Sequence, residues 1–363
     1  MISSQNPLLR MKLHKTEKNR TNITRLPQWE YLAFIAAVCL TFIICVSVGT
    51  VRLPWSDVIH YLEDMVFGTN HVYAVSSAPQ IMTVRVPRVI CVALSGMSLA
   101  LCGCAMQGLL KNPLAEGSTL GVSSGAALGA IIAIAFDISI PFLSLAGATV
   151  MAMLFAFGSI MLILFLAYRL DYSLSTNTIV LLGVIYSMFI SSIIMFITTF
   201  ASEKIRSITF WTMGSLQGST YTEALILLTV LVFFGTVILS KAEELNAFAI
   251  GEDNARSIGI NIRSTRLVIL IAVSALIGTC VSIGGSIGFV GLVVPHMTRM
   301  IVGPNHRRLL PATLFSGAVF LMIMDLVARV ILRPRELPIG AVTSLIGAVL
   351  FVFIFAGTKR REE

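Results

Sequence analysis

The stretch KAEELNAFAIGEDNARSIGINIRSTR (241–266) is the longest polar segment between two almost wholly apolar regions of the chain. Its pattern predicts a short helix, a turn at Gly251, a second helix from Glu252 to Ser257 and a stop at Gly259. Charged side chains and loose backbone groups would lack partners inside hydrocarbon. We therefore expect this segment to lie at a membrane surface, where its contacts decide the function.

The composition around this segment indicates a membrane protein with several spans. Of 363 residues, 56% are hydrophobic and only 12% are charged, whereas about 25% of the residues in a typical soluble domain are charged. About ten spans of 20 residues would account for most of the apolar content. The net charge of +8 fits the basic bias of cytoplasmic loops, so no nucleic-acid partner is predicted.

The apolar runs predict an all-helical fold, because only helices and closed barrels satisfy their backbone groups in lipid. The run from 267 to 302 is too long for one helix and is expected to break at Gly284, Gly285 and Gly288. The ten spans are expected at approximately 31–49, 86–110, 118–136, 140–167, 179–200, 224–240, 267–284, 286–302, 309–332 and 338–357.

Basic residues predict the orientation of these spans. Residues 1–30 are interpreted as a basic cytoplasmic tail before an uncleaved first span. An even number of spans returns the C-terminus to the cytoplasm, where the short tail 358–363 is also basic. The membrane domain is therefore 31–357, with the polar segment on its cytoplasmic side. Residues 51–80 form the external loop, with an interfacial helix from Trp55 to Phe67.

No metal or cofactor site is predicted. All six cysteines fall inside apolar runs and are interpreted as small packing residues. His296 follows Pro295, and we expect it to hydrogen-bond carbonyl groups freed at a helix break there rather than to bind a metal. A similar proline break at Pro113, with similar small-residue stretches after both prolines, suggests a weak inverted repeat.

Seven motifs, in their order and spacing, resemble the permease subunits of binding-protein-dependent ABC importers for ferric siderophores, haem and vitamin B12, the FecCD/BtuC-like family. The resemblance runs from about residue 35 to 357 and departs from the family at Gly117 and at Ala348-Val349, where proline is common. The motifs are RVPR (85–88), QGLLKNPLAEGSTLGVSSGAALG (107–129), WTMGSL (211–216), LNAFAIGEDNARSIGI (245–260), GFVGLVVPHMTRMIVGPNHR (288–307), DLVAR (325–329) and ELPIGAVTSLIGAVLF (336–351).

The resemblance implies a BtuC-like, all-α polytopic fold of about ten transmembrane helices with both termini in the cytoplasm. It implies a permease that moves an iron chelate, by preference a ferric siderophore, across the cytoplasmic membrane of a prokaryote; haem and cobalamin are the alternatives. The implied partners are two copies of an ABC ATPase, an extracytoplasmic substrate-binding protein, a second permease subunit (a copy or a paralogue) and the lipid bilayer. ATP hydrolysis would occur on the ATPase, so the chain itself is predicted to be no enzyme and to need no cofactor.

In the resembling family, two short cytoplasmic helices dock into a cleft on the ATPase, and the polar segment matches them. A rigid element suits this role because a loose loop would absorb the motion of the ATPase. The alternative is a solvated turn that only fixes the topology. The implied coupling residues are Glu252, Asp253, Asn254, Ala255, Arg256 and Gly259.

External arginines of the family receive glutamates from the two lobes of the binding protein, and the matching residues here are Arg85, Arg88 and Arg329. A planar guanidinium group can engage a carboxylate in a bidentate way. Anchoring at the membrane interface is the alternative for Arg85 and Arg88. For Arg329 the alternative is an ion pair with Asp325, four residues earlier on the same helix.

The family also implies a polar constriction at the start of the fifth span, and its candidates here could equally form a helix N-cap. Further small residues recur at helical spacing on two spans, and they could either line the pathway or pack helices together. The candidates for the cytoplasmic gate are Ser175, Thr176, Asn177 and Thr178. Those for the pathway are Gly183, Ser187, Ser191, Gly340, Thr343, Ser344 and Gly347.

Two other classes of protein compete with the permease. An ion-coupled secondary transporter would need intramembrane carboxylates, for which Asp325 is the clear candidate. A membrane-embedded enzyme is disfavoured because the sequence places no acid, base or metal constellation within the spans. An adjacent ATPase gene and a gene for a secreted binding protein would favour the permease.

Overall fold

The computed structural model describes residues 26–49, 51, 53–69, 71–139, 147–171 and 175–362. Within these ranges the regular secondary structure is entirely helical. Short 3₁₀ turns cover Gly117–Leu120 and Ser202–Lys204. The α-helices are α1 Gln28–Ser47, α2 Trp55–Phe67, α3 Ala78–Leu110, α4 Val122–Ala135, α5 Gly147–Leu170, α6 Thr176–Phe200, α7 Ile205–Thr212, α8 Tyr221–Ser240, α9 Ala242–Ile250, α10 Glu252–Ser257, α11 Ile262–Gly284, α12 Val290–Val302, α13 His306–Val330 and α14 Ile339–Glu362.

Ten of the described helices are apolar. Helices α1, α3, α5, α6, α8, α11 and α13 are long and apolar enough to cross a membrane. The apolar helices α4, α12 and the apolar part of α14 are shorter. Together they confirm the prediction of an all-helical protein with about ten transmembrane helices.

Helix α3 lies at the centre of the bundle, against α8, α11, α12 and α13. Its most apolar 18-residue window is 83% buried, compared with 17% for α6. A Cβ atom on Gly103 would lie 1.9 Å from the carbonyl oxygen of Gly291 in α12, and one on Gly96 would lie 2.3 Å from that of Gly317 in α13. These glycines therefore bring the three helix backbones into direct contact.

The two ends of the bundle differ. Helices α9 and α10 lie at one end, where α9 contacts the C-terminal part of α3 and the N-terminal part of α13. Helix α2 lies at the other end, beside α1 and the start of α3. We refer to them as the α9–α10 end and the α2 end.

Several boundaries follow the sequence closely. Helix α2 has the predicted bounds, and α11 stops at Gly284 as expected before the glycine-rich break. Helix α3 starts at Ala78 rather than at 86, because Arg85 and Arg88 are buried with partners instead of marking the end of the apolar run. The predicted tail falls largely in 1–25, and the predicted start of the fourth span in 140–146; both ranges lie outside the described residues.

The predicted break at Pro295 is wrong, since α12 continues through this proline. Proline lacks the N–H that would bond to the carbonyl oxygen four residues earlier, here that of Gly291. The Gln107 side chain, rather than His296, replaces this donor: its Nε2 donates to the carbonyl oxygens of Gly291 and Leu292, each at 3.3 Å. The helix can therefore continue without leaving a buried acceptor unsatisfied.

Two aspartates fold the connection after α2 back onto that helix. Asp57 is almost fully buried and accepts hydrogen bonds from the backbone N–H groups of Ala74 at 2.8 Å and Val75 at 2.9 Å. Asp64 accepts a hydrogen bond from the Tyr73 hydroxyl at 2.5 Å. This bond is the largest cause that lowers the pKa of Asp64, while burial and then the same bond raise the pKa of Tyr73 to about 12. Asp64 thus stays ionised at physiological pH and holds the connection in place.

Candidate functional site

The polar segment forms the two short helices that the sequence predicts, α9 and α10, separated by Gly251. Gly251 and Gly259 have φ angles of 144° and 87°, which favour glycine. After Gly259, the N–H of Ile260 donates to the carbonyl oxygen of Ala255 at 3.1 Å and closes the end of α10. The two glycines and this hydrogen bond therefore set the boundary between α9 and α10 and the end of α10.

Helix α9 is fixed to the body of the protein on its inner side. Leu245 and Phe248 are buried there. Asn246 accepts a hydrogen bond from the backbone N–H of His306 at 2.8 Å and donates to the Asn305 side chain at 3.0 Å. Asn305 in turn caps the first turn of α13. The segment is thus a rigid extension of the bundle and not a loose loop.

The outer side of the same pair is open. Ile250 is 75% exposed and Ile258 is 69% exposed. Between them Asp253, Asn254 and Arg256 are also exposed. Apolar side chains on both flanks of a polar helix form a small amphipathic surface, a composition typical of a site that a partner covers.

Of the remaining predicted coupling residues, Gly259 is exposed, whereas Ala255 and Glu252 contact the body of the protein. Ala255 is fully buried. The Glu252 carboxylate accepts a hydrogen bond from the guanidinium group of Arg266 at 2.7 Å, and the Arg266 side chain is only 3% exposed. Glu252 therefore ties α10 to α11, whereas its neighbours form the open surface. The coupling role of all six residues stays a prediction.

The predicted gate residues form the N-terminus of α6. Ser175 is its N-cap, and its Oγ lies 2.8 Å from the Thr178 hydroxyl. Asp171, at the end of α5, accepts from the backbone N–H of Ser175 at 3.0 Å and from the Thr178 hydroxyl at 3.1 Å. Asn177 is exposed, and Thr176 begins the helix. The N-cap interpretation is confirmed, while the gate itself stays a prediction.

The pathway candidates divide into two groups. Ser187 and Ser191 on α6, with Thr119, Val184 and Met188, line an open recess of about 470 Å³. Ser344 on α14 is exposed as well.

The other four candidates pack against neighbouring elements. Added Cβ atoms would lie 2.1 Å from the Thr119 carbonyl oxygen for Gly183, 2.3 Å from that of Met213 for Gly340 and 2.6 Å from the Phe289 Cβ for Gly347. The fourth, Thr343, is fully buried. Their geometry favours the packing role that the sequence left open.

At the α2 end, the predicted docking arginines are buried. Arg85 donates to the carbonyl oxygens of Val46 at 3.1 Å and Val51 at 2.7 Å. Arg329 donates to those of Cys45 at 2.9 Å and Val48 at 3.2 Å. The two guanidinium groups thus satisfy carbonyl groups at the negative C-terminal end of α1.

Arg88 joins two carboxylates. Its Nη2 donates to Asp325 at 2.9 Å and its Nη1 donates to Glu336 at 2.7 Å. Asp325 also forms the predicted ion pair with Arg329, at 2.9 Å. Arg88 and Arg329 therefore face two carboxylates in a largely buried cluster. Contact between these arginines and a binding protein stays a prediction, and it would require them to change partners.

One carboxylate in the quoted motifs has a structural role that the sequence reasoning missed. Glu116, in the turn between α3 and α4, accepts a hydrogen bond from the N–H of Phe289 at 3.1 Å. Phe289 has a φ of 68° and immediately precedes α12. A carboxylate at the N-terminus of α12 is favourable because that end of a helix is positive. The feature of the sequence that could have indicated this role is an acidic residue within a glycine-rich turn.

In the part of the chain that the structure describes, no group of three or more His, Cys, Asp or Glu side chains is arranged to hold a metal ion. The fold and these surfaces together define a multi-pass membrane protein of the permease class, with hydroxyl-bearing side chains on its open face and a rigid helical pair at one end.

Residues 37–356 match the FecCD transport family, and the chain belongs to that family. It is 35% identical over 343 residues to an uncharacterised ABC transporter permease protein, YvrB, of Bacillus subtilis, covering 93% of this chain and 96% of the relative. It is 35% identical over 313 residues to the cobalamin import system permease protein BtuC of Halobacterium salinarum, covering 85% and 81%. A solved metal-chelate type ABC transporter in an inward-facing conformation superposes with a TM-score of 0.77 at 31% identity, covering 90% of this chain and 98% of that one.

Proposed function

We propose that this chain is the permease subunit of an ABC importer that moves a ferric siderophore across the cytoplasmic membrane of a prokaryote. The observation that carries the proposal is the α9–α10 pair, which is fixed to the body through Asn246 and exposes Ile250 and Ile258. In a chain of the FecCD family, such a surface suits an ATPase subunit. The α9–α10 end then faces the cytoplasm, as do both termini.

The open face of α6 suits a pathway shared with a second permease subunit. Met188 is 67% exposed and lines the recess together with Ser187 and Ser191. A mixed lining of thioether, aliphatic and hydroxyl groups suits a bulky chelate whose metal is already enclosed by its own ligands. The solved metal-chelate type transporter supports this substrate class. Cobalamin is the second candidate, because the Halobacterium relative is named as a cobalamin permease.

The binding protein would dock at the α2 end. The buried Arg88 bonds to Glu336, and Arg333 and Arg335 are exposed on the turn immediately before Glu336. Arg88 holds Glu336 and thereby the position of this turn. Arg333 and Arg335 would then present positive charge to acidic residues of the binding protein. The buried arginines would support the turn that carries this exposed pair.

Charge reversal of Arg333 and Arg335 to glutamate is expected to weaken binding of the binding protein by about tenfold, because opposed charges become like charges. Binding to the permease–ATPase complex in nanodiscs measures this effect, and the yield of membrane-inserted protein controls for folding. Unchanged affinity would remove the exposed pair from the docking surface.

Replacement of both Ile250 and Ile258 by glutamate is expected to weaken ATPase association by about tenfold or more, because two exposed apolar contacts become charged. Co-purification of the ATPase with the tagged permease measures association, and ATP-dependent uptake should fall in parallel. The matched control is Phe67→Glu, which changes an equally exposed apolar residue (77%) at the opposite end.

Full ATPase association in the Ile250→Glu/Ile258→Glu protein would contradict the assignment of this surface. Equal loss in the Phe67→Glu control would show that added charge, rather than its position, disturbs the complex.

A further inference from the structure

A cavity of about 330 Å³ joins the two functional regions at the α9–α10 end. It is lined by the predicted gate residue Ser175, by Glu252 and Arg256 of α10, and by Arg263 and Arg266 of α11. These residues are far apart in sequence, and the first turns of α11 bring them together. The predicted gate and the predicted coupling helix therefore line the same cavity.

On the side of the coupling helix, the contact is an ion pair whose arginine is buried and whose carboxylate is partly exposed. Arg266 Nη2 donates to Glu252 Oε1 at 2.7 Å, and the two side chains are 3% and 39% exposed. A buried guanidinium group is costly to separate from its carboxylate, because its charge would lose its partner. Helices α10 and α11 are therefore expected to move as one body.

On the side of the gate, α11 contacts the end of α5. The Arg263 guanidinium carbon lies 5.0 Å from the centre of the Tyr168 ring, within the range of a cation–π contact. Three residues later Asp171 accepts the hydrogen bonds from Ser175 and Thr178 that begin α6. A displacement of the start of α11 therefore reaches the N-terminus of α6 through directly contacting groups.

We propose that Arg266 is a positioning residue that couples displacement of α10 to the N-terminus of α6. The inference rests on the proposed function, because the displacement would come from the ATPase. Glu252 then acts within the protein, as the anchor of Arg266, rather than as a contact to the ATPase. Asp253, Ile250 and Ile258 then contact the ATPase on the outer side of the helical pair. Arg266 transmits the resulting displacement of α10 to the interior of the protein.

The test measures movement of the gate in the complete transporter, with the ATPase and binding protein present. Asn177→Cys places a thiol on an exposed gate position without removing the Ser175 cap. The background is Cys39→Ser, because the other five cysteines are buried. The rate of thiol labelling is compared without nucleotide and with ATP trapped on a hydrolysis-deficient ATPase. ATPase association and turnover are recorded for each variant with the active ATPase.

We expect trapped ATP to change the labelling rate by about fivefold or more in the background protein, and by less than about twofold after Arg266→Gln. The ATPase should still bind and hydrolyse ATP in this variant. Arg266→Lys keeps the charge but loses the planar fork, so it should fold and give an intermediate ratio. The exchanged pair Glu252→Arg/Arg266→Glu should restore part of the nucleotide effect, because it restores an ion pair between α10 and α11.

The outcomes separate this inference from the proposed function. A nucleotide effect that survives Arg266→Gln at full size, with the ATPase bound, overturns the role of Arg266 alone. Equal labelling rates with and without ATP in the background protein overturn the proposed gate and the role of Arg266 with it. An exchanged pair that assembles with the ATPase but shows no nucleotide effect also contradicts the proposal.

Discussion

Replacement of Asp325 by alanine is expected to destabilise the folded chain by about 3–5 kcal/mol, because it leaves buried positive charge without its partner. Asp325 is 1% exposed; it accepts a hydrogen bond from Arg88 at 2.9 Å and forms an ion pair with Arg329 at 2.9 Å. Glu336 can compensate only Arg88. The loss should loosen the α2 end, where these arginines connect α1, α3 and α13.

The midpoint of thermal unfolding in detergent measures this effect, and a drop of several degrees is expected. Glu243→Ala is the matched control: its partner is Arg307 and its side chain is 66% exposed, so a loss below about 1 kcal/mol is expected. If both variants unfold at the same temperature, the cluster around Asp325 is not the main electrostatic anchor of the bundle.

Replacement of Gly103 by valine is expected to prevent correct packing of the central helix. The added Cβ would lie 1.9 Å from the Gly291 carbonyl oxygen, and that backbone belongs to α12, where Pro295 and Gln107 already fix the hydrogen bonds. Backbone cannot rotate away as a side chain can, so the two helices must separate. The cost should exceed the roughly 1–3 kcal/mol of ordinary overpacking.

The yield of monodisperse protein after size-exclusion chromatography measures this effect, and a large loss is expected. Gly158→Val is the matched control, since it makes the same change within α5 at a position with no atom within 4 Å of the added Cβ. A monodisperse Gly103→Val protein with unchanged thermal stability would show that α3 and α12 do not depend on this close contact.

Local signals predicted much of the fold because they act over a few residues. Gly251 and Gly285 have positive φ angles, and both positions separate helices as the sequence suggested. The sequence did not predict the start of α3, because that start depends on a contact between residues far apart in the chain. Arg88 is 237 residues from Asp325, and only their contact in the fold makes an arginine acceptable inside an apolar helix. Pro295 was misjudged in the same way, because its compensating donor is Gln107 on another helix.

In the candidate site, too, local features could be predicted from the sequence, whereas long-range contacts could not. The bounds of α9 and α10 followed from local pattern, but the direction of the Glu252 carboxylate did not. It depends on Arg266, which lies 14 residues away on another helix. Small residues such as Gly183 and Ser187 are equally compatible with packing and with a pathway in sequence. Only their three-dimensional neighbours distinguish the packed Gly183 from Ser187 on the open recess.

The most direct test of the proposed importer is uptake of a radiolabelled ferric siderophore into proteoliposomes that contain this chain, its ATPase and its binding protein. The account predicts uptake only when all three proteins and ATP are present, loss of uptake when the ATPase cannot hydrolyse ATP, and no sensitivity to a proton ionophore. Uptake by this chain alone that an ionophore abolishes would contradict the account and would identify an ion-coupled transporter instead.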